Sequence, residues 1–357
     1  MSEKGDGKSL SPFLRWSTKM KKILVIGSTV ADVTISLDHL PEPEEDIIPG
    51  AQKISLGGCA FNVSNMLRLF RVPYTLFSPV GTGIYGDFVK KELEKYDIRR
   101  HAEREGQPAA GIDMEALPYP QEENGCCYCL VDKTGNRTFM ALHGAEYRFR
   151  KEWFSRLNMQ EYDRIYVCGL EIEEPTGEQI VDFLETCREQ EIIYAPGPRM
   201  VSVPAARQDR LLALHPVLHL NAAEVTAWLK QKGCCPDVLT GKEVSQLTLG
   251  ETALAAEAAA DITGNTVIVT NGDKGTACCE VLRASSAAEK VLHTAPAFPV
   301  QQIDGTGAGD AHIGTVMACR ERGMTLLQSL ETANRISALV VGCRGAVLPD
   351  EQFVEGV

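Results

Sequence analysis

The hydrophobic positions of this chain fall into short unbroken runs separated by longer stretches with helical spacing. Lys22-Ile23-Leu24-Val25-Ile26-Gly27, residues 165–168, 192–194 and 217–220, and Val267–Thr270 are apolar on consecutive positions. That is how a parallel strand buried on both faces reads. Helical runs lie at 176–190, 203–214, 221–231 and 249–263, and two more, 311–321 and 324–342, follow near the carboxyl end. Strand and helix alternating at this rhythm predict an α/β fold, a central mostly parallel sheet flanked by helices. Upstream, residues 74–80 read as a strand, with amphipathic helices reaching Phe70 and spanning 85–96. One segment breaks the alternation. Cys126–Val131 and Arg137–Leu142 flank the polar turn Asp132-Lys133-Thr134-Gly135-Asn136, which predicts a β-hairpin. Residues 101–125 lack periodicity and carry Pro108, Pro118 and Pro120, so they read as loop or a frayed edge. No repeat of fixed period is present.

Composition narrows the class. At 357 residues the chain buries a large core. A net charge of −12 leaves no basic stripe for nucleic acid, and no apolar run approaches a membrane span. Residues 1–20 are polar, without the apolar centre of a signal peptide, and read as a disordered leader or expression remnant, with Met20 an alternative start. Twelve cysteines without a secretory signal imply free thiols in a reducing cytoplasm. Cys126 and Cys129 have C-x-x-C spacing, but no second pair completes a zinc site.

Chemistry concentrates in Ile303-Asp304-Gly305-Thr306-Gly307-Ala308-Gly309-Asp310-Ala311-His312. Small residues let backbone approach a ligand, and the helix that follows offers unpaired N–H groups in its first turn. Together with the helix dipole these favour an anion, most often phosphate. Asp310 is the one group beside it able to accept a proton. Anion cradle plus carboxylate reads as phosphoryl transfer to a hydroxyl. Other polar residues follow strand ends, where α/β sheets bind ligands: Asp32 after residues 22–27, Glu171 after 165–168, and Asn221 with Glu224 after 217–220. Gly57 and Gly58 precede a helix carrying Asn62 inside its first turns. Each has a plainer reading: a surface Asp, a solvated acidic turn, an N-cap with its first-turn Glu, a weak helix residue.

The order Asp-x-Thr-Gly-Ala-Gly-Asp resembles the carboxy-terminal motif of the ribokinase-like (PfkB) carbohydrate kinases. Asp32, the GGxxxN of Gly57, Gly58 and Asn62, the hairpin, the NxxE of Asn221 and Glu224, and the TxGxxG-like turn of Thr270, Gly272 and Gly275 occur in the family's order over residues 22–348. The resemblance implies a ribokinase-like fold over residues 21–357, with a small β-sheet lid drawn from about 32–55 and 107–145. It implies Asp310 as general base and Gly307, Ala308 and Gly309 as the anion hole. Asp32, Gly57, Gly58, Asn62 and Glu171 would bind the sugar. Asn221, Glu224, Thr270, Gly272, Gly275 and Asn334 would bind ATP, with Mg²⁺ held through water at Glu224. The Gly345-Ala346 turn would border a monovalent cation such as K⁺, and the lid could join a homodimer. The chain departs from the pattern at Arg71, Thr82, Gly305 and His312.

These features imply an ATP-dependent kinase acting on a primary hydroxyl of a pentose or nucleoside. Arg137 and Lys133 are candidates for holding a sugar phosphate instead. Phe61, Phe139 or His312 could line a slot for a base. The reading from another class is a non-catalytic sugar- or nucleotide-binding regulator. A nicotinamide dehydrogenase fits poorly, because no G-x-G-x-x-G follows the first strand.

Overall fold

The computed structural model describes residues 20–95, 111–112, 118–134, 137–283 and 288–356. The leader, residues 101–110 and 113–117 of the aperiodic segment, and Gly135 and Asn136 of the hairpin turn lie outside these. In chain order the strands are β1 (Lys22–Ile26), β2 (Val30–Ser36), β3 (Ala51–Gly57), β4 (Tyr74–Phe77), β5 (Val80–Thr82), β6 (Gly111–Ile112), β7 (Pro118–Glu123), β8 (Cys126–Val131), β9 (Arg137–Leu142), β10 (Tyr162–Cys168), β11 (Glu191–Ala195), β12 (Val217–Asn221), β13 (Val267–Thr270), β14 (Gly275–Arg283) and β15 (Ala288–Pro296). The helices are α1 (Cys59–Leu69), α2 (Gly83–Lys95), α3 (Lys151–Phe154), α4 (Gly169–Glu173), α5 (Gly177–Leu184), α6 (Ala205–Leu212), α7 (Ala222–Lys232), α8 (Leu249–Thr263), α9 (Ala308–Glu321), α10 (Leu326–Val341) and α11 (Asp350–Gly356).

Among the described residues the large sheet has nine strands in the order β15-β14-β13-β12-β11-β10-β1-β4-β6. Only the β13–β14 and β14–β15 pairings are antiparallel. Alternation along each strand feeds two cores. Ile23 and Val25 pack on one face with α1, α9 and α10, and Leu24 and Ile26 pack on the other with α5, α7 and α8. Strands covered on both faces must be apolar throughout, which explains the unbroken runs. A four-stranded sheet, β3-β2-β8-β9, stands apart. Its β8–β9 hairpin joins β2 through a parallel pairing, Asp32 lying opposite Cys127. The predicted small sheet is therefore present, with β2 starting at Val30.

Some expected boundaries shift. The strand expected over 74–80 is two strands, broken at Ser78-Pro79, where proline removes a ladder donor. Pro118–Glu123, expected to be irregular, pairs with β5. The helix expected over 176–190 stops at Leu184, and α9 begins three residues early, at Ala308, so that Asp310 sits inside its first turn. Arg71, where Gly or Ser is usual, takes a left-handed conformation with φ 53 at the end of α1. The loop changes while α1 keeps its place. Among the described residues no helix is long and apolar enough to cross a membrane, and the cysteines are unpaired.

Candidate active site

A cavity of about 1250 Å³ lies between the small sheet and the carboxyl ends of the parallel strands. Its closed end is built by Asp32, Gly58, Asn62 and Asp310, and its open arm by Asn221, Glu224, Thr270, Gly272 and Lys274. Gly307, Ala308 and Gly309 join the two.

The closed end depends on two glycine-initiated helices meeting. Gly58 caps α1 at φ 96, and a Cβ there would stand 2.5 Å from the Ser28 carbonyl oxygen, so only glycine lets the helix start this close to the sheet. Gly307 caps α9 in the left-handed conformation, against Ala346. Neither helix has a side-chain cap; at α9 the Ala308 amide makes only a long 3.4 Å bond to the Gly305 carbonyl, and the Gly309 and Asp310 amides have no acceptor among the described residues. A Cβ on Gly309 would meet no protein atom within 4 Å, so its smallness serves nothing in the protein's own packing. Beside the cavity, that leaves room for a ligand to approach the backbone.

Asn62 donates from Nδ2 to Asp310 Oδ2 at 2.8 Å, fixing the carboxylate over this helix end. The other atom of the same amide, Oδ1, is buried and has no partner. A buried acceptor left open is costly unless a ligand hydroxyl fills it. Burial pushes Asp310 up to about 6 against the pull of Asn62 and Cys59, with Glu171 and Glu224 adding repulsion. Burial, then the charges of Asp310 and Asp304, push Asp32 up to about 7. Two carboxylates facing one cavity thus have pKa values raised toward neutrality, the range in which a carboxylate can serve as a base.

The turn before α9 is organised by Asp304, which sequence reasoning did not single out. Its Oδ1 accepts from the Thr306 amide at 2.8 Å, and Oδ2 from the Gly345 amide at 2.9 Å. Arg137, from lid strand β9, lies on Oδ1 at 2.7 Å and donates to the Ile303 carbonyl at 2.8 Å. Burial raises the Asp304 pKa, but these amides, the Thr306 hydroxyl and Arg137 outweigh it and hold the group below its usual range. The small sheet and the turn before α9 are thereby tied through one carboxylate. The sequence signal for it was its place as the first Asp of the Asp-x-Thr-Gly-Ala-Gly-Asp motif, which assigned it no role.

In the open arm, Asn221 and Glu224 form a reciprocal capping box on α7, at 2.9 and 2.8 Å. The plain reading of these two residues therefore holds, and both still line the cavity. Burial raises the Glu224 pKa against the Asn221 amide.

Four expected site residues do not line the cavity. Gly57 backs Asp32, whose carboxylate a Cβ there would displace. Glu171 is fully buried, accepting from the Ser28 amide and the Cys168 thiol at 2.6 Å each, so it braces the floor beneath the cavity. Gly275, at φ 115, makes room for the backbone of β15. Asn334 is buried, spending its amide on the Ala295 and Pro296 carbonyls and its oxygen on Thr276. Of the aromatic candidates Phe139 reaches the cavity, whereas Phe61 and His312 are buried in the core.

Comparison with known proteins gives the same assignment. The profile of the pfkB family carbohydrate kinases matches residues 20–352. An uncharacterized sugar kinase, YegV, of Escherichia coli strain K12 is 26% identical over 340 residues, covering 95% of this chain and 94% of its own. An ATP-dependent ribose-1-phosphate kinase of Halopiger xanaduensis is 23% identical over 328 residues, covering 92% and 94%. The crystal structure of ribokinase from Cryptococcus neoformans in complex with ADP superposes with a TM-score of 0.70 at 20% identity, covering 95% of this chain and all of the other. A family profile spanning nearly the whole chain, with the fold to match, means that this protein belongs to the pfkB family of carbohydrate kinases, phosphotransferases with a hydroxyl acceptor.

Proposed function

We propose that this kinase moves the γ-phosphate of ATP to a primary hydroxyl of an unphosphorylated pentose or nucleoside. The observation that carries this reading is the Asn62–Asp310 pair, set on the uncapped first turn of α9 and facing Asp32. Asp32 and the open Oδ1 of Asn62 would hold acceptor hydroxyls in the closed end. Asp310 would take the proton of the attacking hydroxyl, and the amides of residues 307–309 would face the equatorial oxygens of the phosphoryl group. Phosphoryl transfer passes through a loose transition state, so positioning and charge stabilisation do most of the work. The open arm, with Asn221, Glu224, Thr270 and Gly272, has the length and polarity for a nucleotide, the class of ligand carried by the fungal ribokinase.

Mg²⁺ fits this arm as a nucleotide-bound ion. Glu224 gives only Oε2 to its cap, and among the described residues no three side chains form a metal cluster, so contact would run through phosphate and water. When bound, the ion neutralises charge on the phosphates.

An already phosphorylated acceptor suits the closed end less well. Arg137 lines the cavity but spends its two terminal nitrogens on Asp304 and the Ile303 carbonyl, leaving only Nε without a partner, and Lys133, paired loosely with Asp38, is not part of the lining. Asp32, Asp304 and Asp310 leave the closed end net negative. A monovalent cation would border the Asp304–Gly345 turn, but Arg137 already places a cation there, so turnover should change less than about twofold with K⁺ at constant ionic strength.

ATP consumption with Mg²⁺ across pentoses, hexoses, nucleosides and sugar phosphates tests the assignment, run with and without K⁺ and beside Asp310→Asn. We expect turnover with one uncharged class and a loss of about a thousandfold or more in the variant. A variant as active as the parent would sink the role of Asp310, and selective turnover of sugar phosphates would overturn the substrate class. The free edge of β9, with Phe139, Met140 and Leu142 exposed, suits pairing with a second copy through the lid. Sedimentation should then show a dimer, and a monomer at assay concentration would exclude it.

A further inference from the structure

His312, one of the departures from the motif pattern, is not alone. Across the core between β12 and α9, His219 and His312 are hydrogen-bonded, Nε2 to Nδ1 at 3.1 Å. His312 Nε2 lies 3.0 Å from the Thr276 hydroxyl, which lies 2.6 Å from Asn334 Oδ1. Asn334 closes the chain by donating Nδ2 to the Ala295 and Pro296 carbonyls, both at 3.0 Å. All four side chains are buried, and His219 alone of them lines the cavity.

The far end fixes every proton in this chain. Turning the Asn334 amide over would set its oxygen against two carbonyl oxygens, so Oδ1 must face Thr276. Thr276 has one proton and gives it to Oδ1, hence its oxygen accepts from His312 Nε2–H. Burial pushes His312 down to about 4, and burial followed by His312 holds His219 well below its usual range, so both rings are neutral. A neutral His312 protonated at Nε2 has a bare Nδ1, which must accept from His219 Nε2–H. His219 is then bare at Nδ1. That atom has no protein partner among the described residues.

We infer that His312, Thr276 and Asn334 are positioning residues that lock His219 in one tautomer, so that its Nδ1 accepts a hydrogen bond from an O–H group of the bound nucleotide. This rests on the kinase reading above, which assigns the arm lined by β12 to ATP. His219 lies two residues before Asn221 on that strand. A lone pair there repels phosphate oxygens, which are acceptors themselves, and suits a hydroxyl donor. Two sources supply one: a ribose hydroxyl, or a water carried on the nucleotide's metal. The arrangement selects for the nucleotide and leaves the acceptor untouched.

Direct binding of ATP by calorimetry, with and without Mg²⁺, tests this independently of turnover. His219→Phe should weaken ATP binding about five- to twentyfold, the range for one lost hydrogen bond to a buried group. Acceptor affinity should stay within twofold. His219→Asn, whose amide oxygen falls near Nδ1, should recover most of the loss. If 2′-deoxy- or 3′-deoxy-ATP binds the parent weakly and His219→Phe no longer discriminates, the donor is that ribose hydroxyl. If the deoxy nucleotides bind like ATP and the variant loses only the Mg²⁺-dependent part of the affinity, the donor is metal-held water. In ¹⁵N-labelled enzyme His219 should carry its proton on Nε2 alone, and His312→Phe should mix the tautomers. A protonated Nδ1 in the parent, or a His219→Phe variant of unchanged melting temperature that binds ATP within twofold of the parent, overturns the inference. A parent that fails to bind ATP at all breaks the kinase reading instead.

Discussion

Asp32 and Asp310 meet in one cavity but hang on supports of very different strength. Asp310 stands on α9, whose next residues, Ala311, Ile313, Val316 and Met317, are buried in the core shared with α1 and α10. Asp32 stands on β2 of the small sheet, whose own apolar cluster is Ala31, Val33 and Cys126 with a few half-buried neighbours. On the outer strand β9, Phe139 is 54% and Leu142 61% exposed. The proposed base is therefore set in a well-packed body, while the carboxylate proposed to hold the acceptor rides on a thin element. Rigid placement suits the group that must meet a transition state within fractions of an ångström. A thin sheet with a small apolar cluster, tied to the turn before α9 by the Arg137–Asp304 pair, suits a part that must admit and release a substrate.

The strongest way to break this contrast is to remove Asp32. Asp32→Ala should raise KM for the acceptor by about a hundredfold while KM for ATP moves less than about threefold. Gly57→Ala makes the same point by geometry, since its Cβ would push the Asp32 carboxylate aside. Initial-rate kinetics with each substrate varied would separate the two constants. Equal rises in both would show that the small sheet serves the whole cavity.

Next in size is the tie between the two bodies. Arg137→Gln removes the charge that joins β9 to Asp304 but keeps a donor of similar reach. The turn stays folded, because the Thr306 and Gly345 amides still hold Asp304. We expect kcat/KM for the acceptor to fall about tenfold, the cost of a partly buried charge-assisted pair, with ATP binding unchanged. The proteolysis rate of the small sheet should rise. Unchanged proteolysis together with unchanged kinetics would mean that the pair does not hold the lid.

Legibility in the sequence followed the same division. The strands of the large sheet were plain because burial on both faces leaves no polar residue to blur them, and α9 was plain because its glycine-rich start is chemically distinctive. Within the small sheet the β8–β9 hairpin was visible through its turn, but the Ala51–Gly57 partner strand, mostly exposed, had no pattern of its own. Candidate residues that line the cavity themselves were readable, as with Asp310, Asn62 and Asp32. Those that act through another residue were not. Glu171 was expected to touch the sugar yet supports Ser28 from beneath, and Asn334 was expected near the nucleotide yet closes a buried chain ending at His219. His219 itself lay unremarked in the strand Val-Leu-His-Leu-Asn, because a single histidine in an apolar run carries no sign of what faces it. Side-chain partners distant in sequence are set by tertiary packing, which periodicity does not encode.

The smallest effect concerns what the rigid placement of Asp310 costs the fold. Its folded pKa, about 6, lies above the ordinary 3.8, so the charged carboxylate is less favourable in the native state than in the unfolded chain. That penalty is fully present above about pH 6 and is lost as pH falls through the ordinary value. Asp310→Asn keeps a partner for the Asn62 amide and removes the charge. Its melting temperature should therefore exceed the parent's by about 2 °C at pH 7.5, corresponding to on the order of 1 kcal/mol, and the gap should close by about pH 4. Activity of the parent should fall on the acid side of the same window, since the base is protonated there. Thermal melts of both proteins across that range, with rates of the parent alongside, read the two consequences together. A gap that does not change with pH would show that the gain comes from packing, and that Asp310 is not held charged against its surroundings.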